Sequence, residues 1–137
     1  MKTQIIEVHT GGREAVTDIT GECQEFAGRA ADGGDGLLHV FVPHATAGVV
    51  VMELGSGSEE DLMASLDRLL PRRDGWTHRH GSRGHGADHV LPLFVAPSVT
   101  IPVVGGELGL GTWQSIALLD PNPDNEMRRV HLSFTAG

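Results

Sequence analysis

Histidine is the one ordinary side chain whose charge changes near neutral pH, and it is the commonest neutral metal ligand. This chain carries eight histidines in 137 residues. Four of them, His78, His80, His85 and His89, fall within twelve positions. Three imidazoles and a water would form an open zinc-type site. The spacing matches no short metal motif, such as the paired histidines of His-Glu-x-x-His. His85 and His89 stand four apart and would share a helix face, but Gly84 and Gly86 weaken such a helix. The competing reading of the run is a solvated, histidine-rich loop.

Three further segments have residue types suited to chemistry. His44-Ala-Thr46-Ala-Gly is followed by Glu53, nine residues after His44 at the far end of the next strand. Gly109-Leu-Gly111-Thr112-Trp113-Gln114 places glycines beside a strand, where a ligand can approach the backbone. On the residues alone, a turn followed by a core tryptophan is the stronger reading there. Arg128-Arg129 opens the last strand. Alternation lets only one of the two face a given pocket, where a guanidinium can fork onto phosphate oxygens. A solvated strand end is the commoner fate of such a pair. Cys23 recurs with Val16, Ile19 and Phe26 at helical spacing and reads as core rather than nucleophile. Gly33-Gly34-Asp35-Gly36 lacks the Lys-Ser/Thr tail of a phosphate-binding loop.

Composition bounds the rest. The length predicts a single domain that buries roughly two thirds of its unfolded surface, without need of disulfides or a structural metal. Hydrophobic residues at 39% and charged residues at 20% exclude a disordered chain. The longest apolar stretch, Ala47 to Met52, is far short of the ~20 residues that span a membrane. The first residues lack an apolar run, so no signal peptide is expected. The single cysteine fits a reducing, cytoplasmic setting. The net charge of −8 is uneven, with 12 acids and 3 bases in residues 1–67 against 6 acids and 7 arginines in residues 68–137. Nucleic-acid binding is disfavoured, while a local anion site in the second half is permitted.

These residues need elements to position them. Residues 4–9 read as a strand. Val16, Ile19, Cys23 and Phe26 read as an amphipathic helix that ends in the glycine run. Residues 37–43 and 47–53 read as strands, forming either a hairpin or a bent, continuous ribbon. Ser58 begins a second helix, with Asp61 as a weak capping partner, a buried stripe of Leu62, Leu66 and Leu69, and Pro71 as its stop. Residues 72–88 read as a long loop of the kind that is functional or mobile. Residues 98–104, 112–119 and 128–135 are three more strands, with Gly105-Gly106 as a tight turn between the first two. The fold class is α+β: a single domain over residues 1–137, with a predominantly antiparallel sheet and two main helices packed on it.

Taken together, and in this order, these segments resemble the YjbQ family, also known as the secondary thiamine-phosphate synthase family. The resemblance is carried by His44-Ala-Thr-Ala-Gly-Val-Val-Val-Met-Glu53, by Trp76-Thr-His78 with His89 eleven residues on, by Ile101 to Gln114 with its Gly-Thr-Trp-Gln ending, and by Arg128-Arg129-Val. It implies a YjbQ-like homotrimer that takes a small phosphorylated molecule and neither nucleic acid nor membrane. It implies a pocket in which His44, His78 and His89 hold a divalent metal, zinc first with magnesium or manganese as alternatives, or else an anion such as phosphate. Glu53 and Arg128 or Arg129 match the family's catalytic glutamate and arginine. Thr46, Trp113 and Gln114 fall at substrate-binding positions, with Trp113 placed to stack on a pyrimidine. The activity implied is transfer: a pyrimidine pyrophosphate is joined to a thiazole phosphate and pyrophosphate is expelled.

The chain also departs from the family pattern. Leu91 stands where the family commonly has lysine, Ala96-Pro97 replaces a glycine, Met52 replaces an asparagine, and His85 stands where asparagine or aspartate is common. Pro92 argues against a regular helix after His89. Two alternatives to an enzyme follow. One is a non-catalytic trimer that binds a metal or a phosphometabolite. The other is a structural role for the histidines at a subunit interface.

Overall fold

A computed structural model describes residues 1–10, 15–73, 75–124 and 126–137. Among the described residues, two antiparallel sheets form the framework. The larger is built from β1 (Lys2–His9), β3 (Gly36–Phe41), β5 (Ser98–Val104), β6 (Glu107–Leu108) and β8 (Met127–Ala136), in the order β1-β8-β3-β5-β6. The smaller is β2 (Val16–Asp18), β7 (Ser115–Leu119) and β4 (Gly48–Met52), in the order β2-β7-β4. The helices are α1 (Thr20–Ala31), α2 (Ser58–Leu69) and the single turn α3 (His85–Asp88), followed by a 3-10 turn at Leu91–Leu93. Among the described residues, no helix is long and apolar enough to cross a membrane.

β8 organises the larger sheet, pairing with β1 on one side and β3 on the other. Its residues alternate strictly, and Arg128, Val130, Leu132 and Phe134 face inward. The core forms where Cys23, Phe26, Ala27 and Ala30 of α1 cover that face together with Leu38, Val40, Ile116 and Leu118. Cys23 is fully buried there, and burial pushes its thiol pKa up to about 12. It is a packed apolar group at neutral pH.

Several boundaries differ from the sequence reading. The first helix begins at Thr20, because Val16-Thr17-Asp18 pairs with β7 instead. Asp18 Oδ1 then accepts from Thr20 N at 2.9 Å and from its hydroxyl at 2.6 Å, which turns the chain into α1. β3 and β4 are not a hairpin: β3 pairs with β5 and β8, β4 pairs with β7, and the chain bends from one sheet into the other. The Gly105-Gly106 turn closes β5 onto the two-residue β6 rather than onto the strand that follows.

Gly57, not Ser58, caps α2, with no capping box at Asp61. Instead Glu59 reaches back to accept from Gly55 N at 2.9 Å. Leu69 is 58% exposed, and the buried stripe runs through Leu66 to Leu70, with Leu62 half-buried. This stripe meets Ala87, Leu91 and Leu119 in a second, smaller apolar cluster under the histidine segment.

Candidate functional site

β7 ends at Leu119, and the chain continues as Asp120-Pro121-Asn122-Pro123-Asp124. Two consecutive side-chain turns shape this segment. Asp120 Oδ1 accepts from Asn122 N at 3.0 Å, and Asn122 Oδ1 accepts from Asp124 N at 2.8 Å. Asp120 then reaches one part of the site, and Asn122 and Asp124 reach the other.

Asp120 is buried and holds the first part. Its Oδ2 pairs with Arg128 Nε, and its Oδ1 accepts from the Thr46 hydroxyl at 3.0 Å. His44 Nδ1 lies 3.0 Å from that hydroxyl and 4.0 Å from Asp120 Oδ2. Burial holds the His44 pKa below its ordinary value, the Arg128 charge adds to this, and Asp120 partly offsets it. The inward face of β8 accounts for the burial of Arg128, whereas Arg129 points to solvent with its Nε 3.8 Å from Glu7 Oε1.

Asn122 and Asp124 hold the second part. Asn122 Nδ2 donates to the buried Asp88 at 2.9 Å and lies 3.1 Å from His85 Nδ1. Arg72 pairs with the same Asp88 and donates to Arg83 O at 2.9 Å, which ties the loop start to α3. Desolvation raises the Asp88 pKa, opposed by Arg72 and by these hydrogen bonds. Asp124 Oδ2 accepts from Ser82 N at 3.0 Å and lies 2.8 Å from His85 Nδ1. The Ser82 amide holds the Asp124 pKa below the usual carboxylate range.

Four imidazoles converge in front of this support. Ring centroids are 4.0 Å apart for His78–His80, 4.4 Å for His78–His89, 4.5 Å for His85–His89, 5.0 Å for His80–His85 and 5.1 Å for His78–His85. The Nε2 atoms of His85 and His89 are 2.8 Å apart, so the turn α3 does put them on one face. A cleft of about 270 Å3 opens beside the rings, lined by Arg72, Arg73, Arg79 and Arg83 together with His78 and His85. His78 and His80 stay exposed while His85 and His89 are half-buried, and imidazoles this close repel one another when charged. Desolvation first, and neighbouring imidazoles second, hold the pKa values of both His78 and His89 below the ordinary value.

A pH dependence follows. Above pH 6.5, the ordinary histidine value, these rings are neutral in the folded and unfolded chains alike. Below it, the unfolded chain takes up protons that the folded chain refuses, so stability falls with falling pH until the folded rings also protonate. The metal-free protein is expected to lose melting temperature as pH falls below 6.5. The double variant His78→Gln/His89→Gln should show a flatter profile over the same window, and an unchanged slope would contradict this account.

The residues singled out from sequence divide into two groups. His44, Thr46 and Arg128 gather on Asp120, and His78 and His89 join the imidazole cluster. Glu53, Trp113 and Gln114 lie elsewhere. β4 and β7 pair with Gly48 opposite Leu119 and Met52 opposite Ser115. Thr46 and Asp120 therefore sit beyond one end of this ladder and Glu53, Trp113 and Gln114 beyond the other, the ladder itself being about 14 Å long at strand rise. Trp113 is 74% exposed and is not a core residue. Gln114 Oε1 accepts from Gly111 N at 2.8 Å and closes the turn before β7.

Sequence reasoning passed over Arg72, Asp88, Asp120, Asn122 and Asp124, and left His80 and His85 outside the ligand set. A signal for three of them was present: aspartate, asparagine and aspartate separated by single prolines.

The comparisons with known proteins agree with this architecture. Residues 4–137 match the family described as UPF0047 protein YjbQ-like. A UPF0047 protein of Mycobacterium tuberculosis is 57% identical over 137 residues, covering 100% of both chains. One of Archaeoglobus fulgidus is 32% identical over 115 residues, covering 84% of this chain and 87% of the relative. The crystal structure of a hypothetical protein of Aeropyrum pernix superposes with a TM-score of 0.89 at 34% identity, covering 100% of both chains. A YbjQ-like protein of unknown function from Sulfolobus solfataricus shares the fold, with a TM-score of 0.91 at 24% identity over 99% of this chain and 97% of that one. A match over nearly the whole length, in sequence and in strand layout, places this chain in the YjbQ-like UPF0047 family.

Proposed function

We propose that the imidazole cluster holds a divalent cation and that the chain acts on a phosphorylated small molecule, in a transfer of the thiamine-phosphate-synthase type. The observation that carries this reading is the convergence of His78, His80, His85 and His89 beside a cleft lined by arginines. Neutral imidazoles offer lone pairs to a cation. When bound, such a cation would neutralise charge on the departing pyrophosphate oxygens.

The chain's own residues supply the remainder. Arg73 and Arg83 can grip phosphate oxygens at the mouth of the cleft, since Arg72 is already committed to Asp88. Arg128 holds Asp120, and Asp120 holds Thr46 beside His44, so Arg128 acts here as a positioning residue rather than as a phosphate ligand. Glu53, Trp113 and Gln114 belong to the reaction only if another copy brings them to the histidines. A homotrimer, as the family resemblance implies, would meet that need.

The test is formation of thiamine phosphate from the pyrimidine pyrophosphate and the thiazole phosphate, with His85→Ala as the paired variant. Turnover that falls by at least ~100-fold in His85→Ala, with unfolding unchanged, supports the reading. One observation favours the second reading, a binding trimer: Leu91, where the family commonly has lysine, is buried in the apolar cluster and supplies no charge. Absence of turnover, together with a thermal shift on adding inorganic phosphate or zinc, would move that reading ahead.

A further inference from the structure

We infer that His78, His80 and His85, rather than a set built on His44, are the ligands of a borderline transition-metal ion, with Asp124 orienting His85 from behind; this rests on the metal-assisted reading above and names its ligands. One ring nitrogen from each of the three histidines lies within 4.8 Å of the others. That spacing lets an ion draw the three nitrogens together by small ring rotations. His44 is engaged differently, with its Nδ1 against Thr46 and near Asp120.

The support behind the rings is the kind a metal site requires. A ligating histidine usually presents its other ring nitrogen to a carboxylate, which fixes the tautomer and the ring plane. Asp124 Oδ2 stands 2.8 Å from His85 Nδ1 and is itself fixed by the Ser82 amide at 3.0 Å. The charged Asp124 carboxylate is closer to that nitrogen than the Asn122 amide nitrogen at 3.1 Å, so it draws the ring proton to Nδ1 and leaves Nε2 with the lone pair. In the metal-free chain the His89 Nε2–H, 2.8 Å away, fills that lone pair. An ion would take its place.

The backbone is also shaped to close this clasp. Gly81 has φ +86°, and a Cβ there would lie 2.8 Å from Asp124 Oδ2. Only glycine lets the loop pass so close to the His85–Asp124 contact in that conformation. A solvated histidine-rich loop has no need of such a fit.

An all-imidazole donor set selects among cations. Magnesium and calcium require oxygen ligands, whereas zinc, nickel, cobalt and copper accept imidazole. The site should therefore take zinc or cobalt and ignore magnesium.

Calorimetric titration of the metal-free, untagged protein with Zn²⁺ and with Mg²⁺ tests this, using the parent chain, His80→Ala, His85→Ala, Asp124→Asn and His44→Ala. Thermal unfolding without metal serves as the folding control. One zinc per chain and no saturable magnesium are expected. His80→Ala and His85→Ala should each weaken zinc binding by at least ~100-fold, Asp124→Asn by about 10–100-fold, and His44→Ala by less than about threefold. Rescue of Asp124→Asn by Asp124→Glu would mark orientation of His85 rather than loss of fold. Zinc binding that survives His80→Ala and His85→Ala but disappears in His44→Ala would overturn the ligand set and leave the metal-assisted reading standing. Several weak sites indifferent to every substitution would mean adventitious metal on exposed histidines, and would overturn the inference. A parent chain that binds no zinc would overturn both.

Discussion

Arg128→Met is expected to destabilise the protein by about 3–5 kcal/mol, the usual range for removing one partner of a buried ion pair. Arg128 and Asp120 are both essentially inaccessible to water. The attraction between them and the desolvation of both nearly cancel, so the intact pair adds little over an apolar pair of similar volume. Truncating one partner upsets that balance. Methionine fills much of the arginine volume but leaves the Asp120 carboxylate buried with the Thr46 hydroxyl, the Asn122 amide and the His44 ring 4.0 Å away. Against a total of about 5–15 kcal/mol for a domain, the loss is large. For a chain of this length it corresponds to roughly 10–20 °C in melting temperature. The double variant Asp120→Leu/Arg128→Met should recover most of the loss, because no buried charge remains. Urea unfolding of the two variants decides the point. A single-variant loss under about 1 kcal/mol would show that water reaches the pair.

Gly86→Ala is expected to disassemble the imidazole cluster while leaving the sheets intact. A Cβ at residue 86 would press on Trp76 Cβ and lie 2.8 Å from His78 O. Trp76 has little freedom to yield, since its indole N–H donates to Pro71 O at 2.9 Å. The backbone at His78 must therefore move outward and carry its ring away from His85 and His89. Overpacking of this kind costs about 1–3 kcal/mol. The larger effect falls on the cluster, with zinc affinity expected to drop by on the order of 100-fold, as when the support of a ligand is lost. Gly75→Ala is the control, because nothing lies within 4 Å of a Cβ there. It should leave both stability and zinc binding nearly unchanged. Histidine ring-proton spectra would show the separation of His78 directly. Unperturbed rings in Gly86→Ala would refute the steric account.

Long, regular elements were legible in the sequence. β8 alternates from Met127 to Thr135, so its inward face could be read directly, although the assignment of Arg128 to the core rather than Arg129 needed the register with β1 and β3. β2 and β6 were not legible, because strands of three and two residues carry no period and are set by their partners. The start of α1 was misread for the same reason: Val16 and Ile19 share helical spacing with Cys23, but pairing with β7 claims Val16 first. The four clustered histidines were visible as a run. Their convergence was not, because glycine contacts at residues 81 and 86 and the reach of Asp124 across 39 positions are long-range facts. Asp120, Asn122 and Asp124 belong to no periodic element, and the single prolines between them mark a turn segment without naming its contacts.

That segment has a consequence for the entropy of the site. Pro121 and Pro123 fix their own φ angles, and each also confines the residue before it to extended backbone. The stretch from Asp120 to Pro123 therefore has few conformations to lose on folding. The anchor points for the buried arginine and for the histidine cluster are spaced in nearly the native way before the sheets assemble around them. Replacing either proline with alanine should destabilise the protein by about 0.4–1 kcal/mol without removing any polar contact, acting through the greater freedom of the unfolded chain.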